Sequence, residues 1–153
     1  MTQIAQCLEC GNARGILGAC PYCQAITPPS LDTDSVELNI KEGNPTVEEA
    51  LERLTDNIRQ FEALGIKAIV LIHGYGSSGE GGLIKRAIHE ALENNRFADR
   101  VEDYYFGEQV SFGSQAYQNL MKRRPGLRRF IGRFKAGNAG ISILLLGTSH
   151  RNA

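Results

Sequence analysis

From residue 47 the apolar positions fall into helical spacing. Val47, Ala50, Leu51, Leu54, Ile58, Phe61 and Leu64 recur every three or four residues and trace one stripe of an amphipathic helix. Thr46, followed three residues later by Glu49, matches a capping box, and Gly65 supplies a stop. Residues 67–72 then form an apolar, β-branched run bounded by glycines, the pattern of a buried strand. A second helical stripe, Leu83, Ile84, Ala87, Ile88, Ala91 and Leu92, begins near Gly82 and ends near Asn94 and Asn95. Short apolar runs at residues 36–40, 101–106 and 140–146 are further strand candidates. The order β-α-β-α-β-β predicts an α/β domain of two layers. Its two β-α-β steps imply right-handed crossovers and a largely parallel sheet, with the last strand pair free to be antiparallel.

The chain has 153 residues, enough for one ordinary domain and a small appendage. Three parts are expected: residues 1–24 around the cysteines, a Pro-, Ser- and Asp-rich linker at 25–36, and the α/β domain at 37–147. No stretch approaches the roughly 18 apolar residues of a membrane span. The N-terminus has no apolar signal core. These features predict a cytoplasmic protein with no membrane partner.

Charge changes the picture. The formal net charge is zero, yet all 17 acids lie at or before Glu108, and the eight bases beyond it meet no acid. The earlier part carries nine bases against those 17 acids, so the halves stand at minus eight and plus eight. Such asymmetry suggests a footprint for a polyanion. The alternative is a basic loop that solvates itself or docks on the acidic part of the same molecule.

Cys7, Cys10, Cys20 and Cys23 form two C-x-x-C pairs. Each pair can present two thiolates from one tight turn, and four thiolates close a tetrahedral site of the structural Zn2+ kind. About twenty residues cannot bury a core, so the metal would supply folding energy. Disulfides suit an oxidising compartment instead. A redox motif needs one C-x-x-C in a β-α-β frame.

Residues 73–82 read His-Gly-Tyr-Gly-Ser-Ser-Gly-Glu-Gly-Gly between the second strand and the second helix. A glycine-rich turn opening a helix suits an anion, because amides there are unpaired and the helix dipole is positive. Gly74, Gly76, Ser77, Ser78, Gly79 and Lys85 are therefore candidate phosphate-binding residues. His73, at the strand's carboxyl end, is a candidate proton carrier. A Walker loop is excluded because no Gly-Lys-Ser/Thr follows at the required spacing. An α/β-hydrolase is excluded by the absence of a Gly-x-Ser-x-Gly elbow and by length.

Three segments carry a family resemblance. LIHGYGSSGEGGLIKRAIHEAL resembles the strand, H-G-x-G loop and helix of the Smr (small MutS-related) domain. TVEEALERLTDNIRQFEALGIKAIVLIHG is similar to its first helix and crossover, and KAGNAGISILLL to its closing turn and last strand. The resemblance covers roughly residues 38–146 apart from an insertion near 109–137. It implies a Smr-like βαβαββ domain, which here follows the four-cysteine segment read from its spacing as a zinc ribbon. It also implies RNA or DNA as partner, a place at a ribosome or repair complex, and endonuclease action on RNA or on branched or nicked DNA. One departure bears on that activity. The family's Leu-Asp-x-His-Gly motif, implicated in cleavage, aligns with a stretch where Asn39 replaces the Asp and Lys41 the His. Lys41 and Glu42 are the candidates to take over those roles beside His73. The alternative is a non-catalytic adaptor that binds a protein or ribonucleoprotein through its ribbon.

The insertion contains Lys122, Arg123, Arg124, Arg128, Arg129, Arg133 and Lys135, with Tyr117, Phe130 and Phe134 interleaved. Bases neutralise phosphates and aromatics stack on unpaired nucleobases, so these seven are candidate nucleic-acid-binding residues. An amphipathic helix that packs Phe130, Ile131 and Phe134 on the body would explain the same pattern. His89 lies off the second helix's apolar stripe and reads as solvated.

Overall fold

The computed structural model describes residues 4–31, 33–74, 80–135 and 138–147. A small antiparallel hairpin, β1 (Ile4–Gln6) and β2 (Ala13–Gly15), carries the cysteine turns. The main body follows as β3 (Ser35–Asn39), α1 (Val47–Ala63), β4 (Ala68–Ile72), α2 (Glu80–Glu93), β5 (Val101–Phe106), α3 (Gln115–Arg123) and β6 (Ile141–Leu146). Short 3-10 segments at Gly107–Gln109 and Pro125–Phe134 complete it. The capping box forms as expected. Thr46 accepts from the Glu49 amide at 3.1 Å, and the Glu49 carboxylate accepts from the Thr46 amide at 2.8 Å.

The sheet order is β3-β4-β6-β5. β3 and β4 are parallel, whereas β6 runs antiparallel to both of its neighbours. The expected largely parallel sheet is therefore corrected to a mixed one. The reason lies in where the insertion delivers the chain. The Gly140 carbonyl accepts from the amides of His73 and Gly74, each at 3.0 Å, so β6 starts at the carboxyl end of β4 and must run back along it.

The two-layer expectation is corrected as well. Ile69 and Leu71 of β4, with Leu144 and Leu146 of β6, join the core under α1 and α2. The alternate residues Ala68, Val70, Ile72, Ile141, Ile143 and Leu145 face a second core built by Val110, Tyr117, Leu120, Met121, Leu127 and Phe134. Strands apolar on both faces need a cover on each. The insertion supplies the second cover, so the domain has three layers.

The stretch expected as a linker is tied down. Ser30 pairs with Gln6, its amide donating to the Gln6 carbonyl at 2.8 Å, and β3 begins at Ser35. Ile16 of the hairpin lies in the first core, with Ala5, Leu17 and Leu31 packed against it.

Two glycines let the insertion dock. A Cβ on Gly107 would fall 1.9 Å from the Asn138 carbonyl oxygen, and one on Gly126 would fall 2.6 Å from an Asp34 carboxylate oxygen. Nothing lies within 4 Å of a Cβ on Gly132. Gly107→Ala should therefore lower stability by about 1–3 kcal/mol through overpacking against backbone. Gly132→Ala, in the same layer, should leave it within about 0.5 kcal/mol. Equal denaturation midpoints for the two variants would refute this packing.

Candidate metal centre and loop site

The cysteine turns are built alike. The Gly11 amide donates to the Cys7 carbonyl at 3.0 Å, and the Gln24 amide to the Cys20 carbonyl at 2.9 Å. The Cys7 amide donates to the Asn12 carbonyl and the Cys20 amide to the Ala25 carbonyl, both at 2.9 Å. The residue after each second cysteine is left-handed, Gly11 with φ 80° and Gln24 with φ 65°. Each turn thus points its two sulfurs at the other turn. Sγ of Cys7 lies 3.7 Å from that of Cys23, and Sγ of Cys10 lies 3.7 Å from that of Cys20. All four lie within 4.8 Å of one another. Disulfide bonding needs about 2.05 Å, whereas a tetrahedron with metal–sulfur bonds of about 2.3 Å has edges near 3.8 Å. The Tyr22 amide and the Asn12 side-chain amide point at Cys20 and Cys10 sulfurs at 3.4 and 3.3 Å. Backbone amides, that of Cys10 foremost, hold the Cys7 thiol down at about 6. The four cysteines fit a metal ion.

The carboxyl ends of β3 and β4 form the second site. His73 is fully buried. Its Nδ1 lies 2.7 Å from the Gly74 carbonyl oxygen and its Nε2 2.8 Å from Ser142 Oγ. A carbonyl only accepts, so Nδ1 carries the proton and Nε2 accepts from the serine hydroxyl. Burial is the main cause that lowers its pKa from 6.5 to about 4, so the ring is neutral at neutral pH. The candidate proton carrier thus has both nitrogens engaged inside the protein.

Lys41 is exposed and lies on the loop after β3, where its amide donates to the Asn39 side-chain oxygen at 3.1 Å. Its stem crosses Gly74: a Cβ there would lie 3.4 Å from Lys41 Cδ and 3.8 Å from Nζ. Lys41, His73 and Gly74 are therefore brought together. Glu42 follows Lys41 on the same loop. Its carbonyl accepts from Arg53 at 2.8 Å, and its side chain is exposed. Lys85 lies 3.6 Å from the Glu108 carboxylate, an intramolecular partner in place of a phosphate. Gly76, Ser77, Ser78 and Gly79 lie outside the described residues.

Ser142, Glu108 and His89 escaped the sequence reading. His89 is half-buried rather than solvated. It stacks on Phe106 with ring centres 3.7 Å apart and meets the His73 ring edge-on at 5.7 Å. Its Nε2 is buried and has no hydrogen-bond partner among the described residues. Burial lowers its pKa too. The legible signal was its position four residues after Lys85, on one helix face.

The insertion separates into spent and exposed bases. Arg123 donates to Asp103 at 2.6 Å, Arg124 to Glu102 at 3.1 Å, and Arg133 to both oxygens of Glu37 at 2.7 and 3.3 Å. A register irregularity between Val101 and Asp103 lets adjacent Glu102 and Asp103 both reach this layer. Arg129 lies over the Phe130 ring. Lys122, Arg128 and Lys135 are exposed and make no ion pair among the described residues. Phe134 is fully buried, which corrects its candidacy for stacking on nucleobases. The docking alternative therefore holds for Arg123, Arg124 and Arg133, and the polyanion reading is left with Lys122, Arg128 and Lys135.

A mixed α/β domain with the His73–Gly74 corner at the carboxyl end of β4 is the class this geometry defines. The family model of the Smr domain matches residues 43–117. The matched segment begins after Lys41 and ends within α3, so the cysteine hairpin, β3, the basic residues of the insertion and β6 fall outside it. Among solved structures the chain is similar to the Smr domain of Thermus thermophilus MutS2. The two share 24% identity over 74% of this chain and 96% of that one, with a TM-score of 0.41. No curated protein matches the sequence. No described helix is long and apolar enough to cross a membrane.

Burial of neutral His73 has a pH consequence. The unfolded side chain titrates near 6.5 and the folded one near 4. Between those values the unfolded chain binds more protons, so stability should fall as pH drops from 6.5 to 4, by up to about 3 kcal/mol. His89 acts in the same direction. Urea titrations at several pH values on wild type and His73→Gln isolate the contribution, and identical pH profiles for the two would refute it.

Proposed function

We propose that this chain binds nucleic acid at the carboxyl end of its sheet, and that a structural zinc ion holds its N-terminal ribbon. The observation that carries the first part is Lys41 laid across Gly74, just beyond the carboxyl end of β4. The 3-10 segment adds a second cation there. It follows β3 in the same direction, with Gly126 against Ser35 and Arg133 bonded to Glu37. Lys135 therefore emerges toward the same end as Lys41. Two exposed lysines at one end of the sheet suit a phosphate backbone.

Cleavage has less support than binding. Hydrolysis needs a proton carrier in reach of substrate. His73 is sealed between Gly74 and Ser142, and Asn39 stands where the family has its Asp. The reading is therefore a Smr-domain protein that binds RNA or DNA, and endonuclease action is the outcome that would revise it. A second reading, docking on a protein of a ribosomal or repair assembly, is favoured by Leu8, Tyr22 and Ile26 of the ribbon, which are 64%, 68% and 86% exposed. Catalysis by Lys41 or Glu42 would show as cleavage lost in Lys41→Gln or Glu42→Gln.

Binding to labelled single-stranded RNA and to nicked DNA, measured across a salt series, tests the main reading. Lys41→Gln and Lys135→Gln should each flatten the log-affinity against log-salt slope by about 0.7–0.9, one phosphate contact apiece. Arg133→Gln should change it far less, because Glu37 already neutralises that charge. Failure to bind any strand, or a slope indifferent to both lysines, would overturn the reading.

For the metal, elemental analysis should find one zinc per chain. Its removal should lower the melting temperature of the whole protein, since Ile16 belongs to the main core and Leu31 packs against it. Metal-free protein with oxidised thiols and an unchanged melting curve would refute it.

A further inference from the structure

Between the loop after β3 and the first turn of α2 lies an open cleft of about 240 Å³, lined by Asn44, Pro45, Thr46, Val47, Leu83 and Ile84. We infer that this cleft takes one unpaired nucleobase of a single-stranded nucleic acid whose phosphate rests on Lys41. The inference deepens the proposed function and rests on it.

Position is the first argument. The Asn44 amide donates to the Lys41 carbonyl at 3.3 Å, so Lys41 and Asn44 close one tight turn. The cleft and the lysine are thus parts of one loop. Its opposite wall, Leu83 and Ile84, belongs to the helix that follows the His73–Gly74 corner. Ligands of open α/β sheets sit in this crevice between loops at the strands' carboxyl ends.

Size and chemistry narrow the occupant. Pockets for drug-sized ligands span roughly 300–1,000 Å³. This one is smaller, room for a flat ring system with its sugar and phosphate outside. Pro45, Val47, Leu83 and Ile84 make the walls apolar, and Leu83 is 53% exposed although it is a large hydrophobic residue. Asn44 at the rim has a side-chain amide with no partner among the described residues, and it can both donate to and accept from a base edge.

Charge excludes an anion from the cleft itself. The N-terminus of α1 opens beside it, but the Glu49 carboxylate already occupies the cap, and Glu48 adds a second negative charge in the first turn. The neutral part of a nucleotide therefore enters the cleft, and its phosphate stays with Lys41. A duplex keeps its bases stacked and cannot offer one, so the site selects single strands.

The experiment compares three probes on the full chain: a short labelled single-stranded RNA, the same strand with abasic residues, and the same sequence as a duplex. Phosphates are kept in all three. Wild type should bind the intact strand about five- to tenfold more tightly than the abasic one, the low end of what one held base contributes. Leu83→Gln, at an exposed position that spares the core, should erase that preference and leave the salt slope unchanged. Intact and abasic strands bound equally by wild type, or a preference that survives Leu83→Gln, would overturn the inference while leaving nucleic-acid binding intact. Absence of binding to all three would overturn both.

Discussion

β6 is buried along its whole length, and that fact organises the rest of the molecule. Ile141, Ile143 and Leu145 face one side while Leu144 and Leu146 face the other. A strand placed between β4 and β5 with two apolar faces cannot leave either face in water, at about 25 cal/mol per Å² of apolar surface exposed. Helices α1 and α2 cover one side. The other is covered by a segment whose composition, dense in arginine, gives little hint of a structural duty. Its Tyr117, Leu120, Met121, Leu127 and Phe134 are the buried counterparts of β6, and its charges are what remain on the outside.

Those charges are partly consumed in fixing the layer. Each of Arg123, Arg124 and Arg133 meets an acid on an edge strand, Asp103, Glu102 or Glu37. Exposed ion pairs contribute little to stability, typically 0–1 kcal/mol, so the apolar contacts hold the layer and the pairs set its register. The paired contact of Arg133 with both oxygens of Glu37 is the most directional of the three. It aims the end of the segment along β3 and so determines where Lys135 comes out. The charge asymmetry of the chain is therefore in part an internal docking code.

The same strand reaches into the loop site. Ser142 is the polar residue in an otherwise apolar run, and its hydroxyl completes the hydrogen bonding of His73. Removing it would leave a buried acceptor unsatisfied, at a cost of about 1–3 kcal/mol. In this arrangement His73 is a pin between β4, β6 and Gly74. It holds the corner from which Gly74 meets Lys41. The residues left to touch a ligand are the exposed ones around the corner, and the proposal of binding rather than cleavage rests on that.

Much of this was legible in the chain. The period of Val47 to Leu64, the capping box at Thr46, the runs that become β4, β5 and β6, and the paired cysteines are local signals. Helix period, strand alternation and tight-turn chemistry act over a few residues, and no distant contact was needed to read them. The match of residues 43–117 to the Smr domain model rests on such local pattern too. What tertiary structure alone decided is pairing across distance. Nothing in residues 140–146 tells that they enter between β4 and β5, because an apolar run has the same appearance parallel or antiparallel. Nothing in the arginines tells which of them meet Glu37, Glu102 and Asp103, since one charged side chain looks like another until a partner stands opposite. And nothing around His73 in the sequence tells that its ring is buried and bonded to Ser142, 69 residues away.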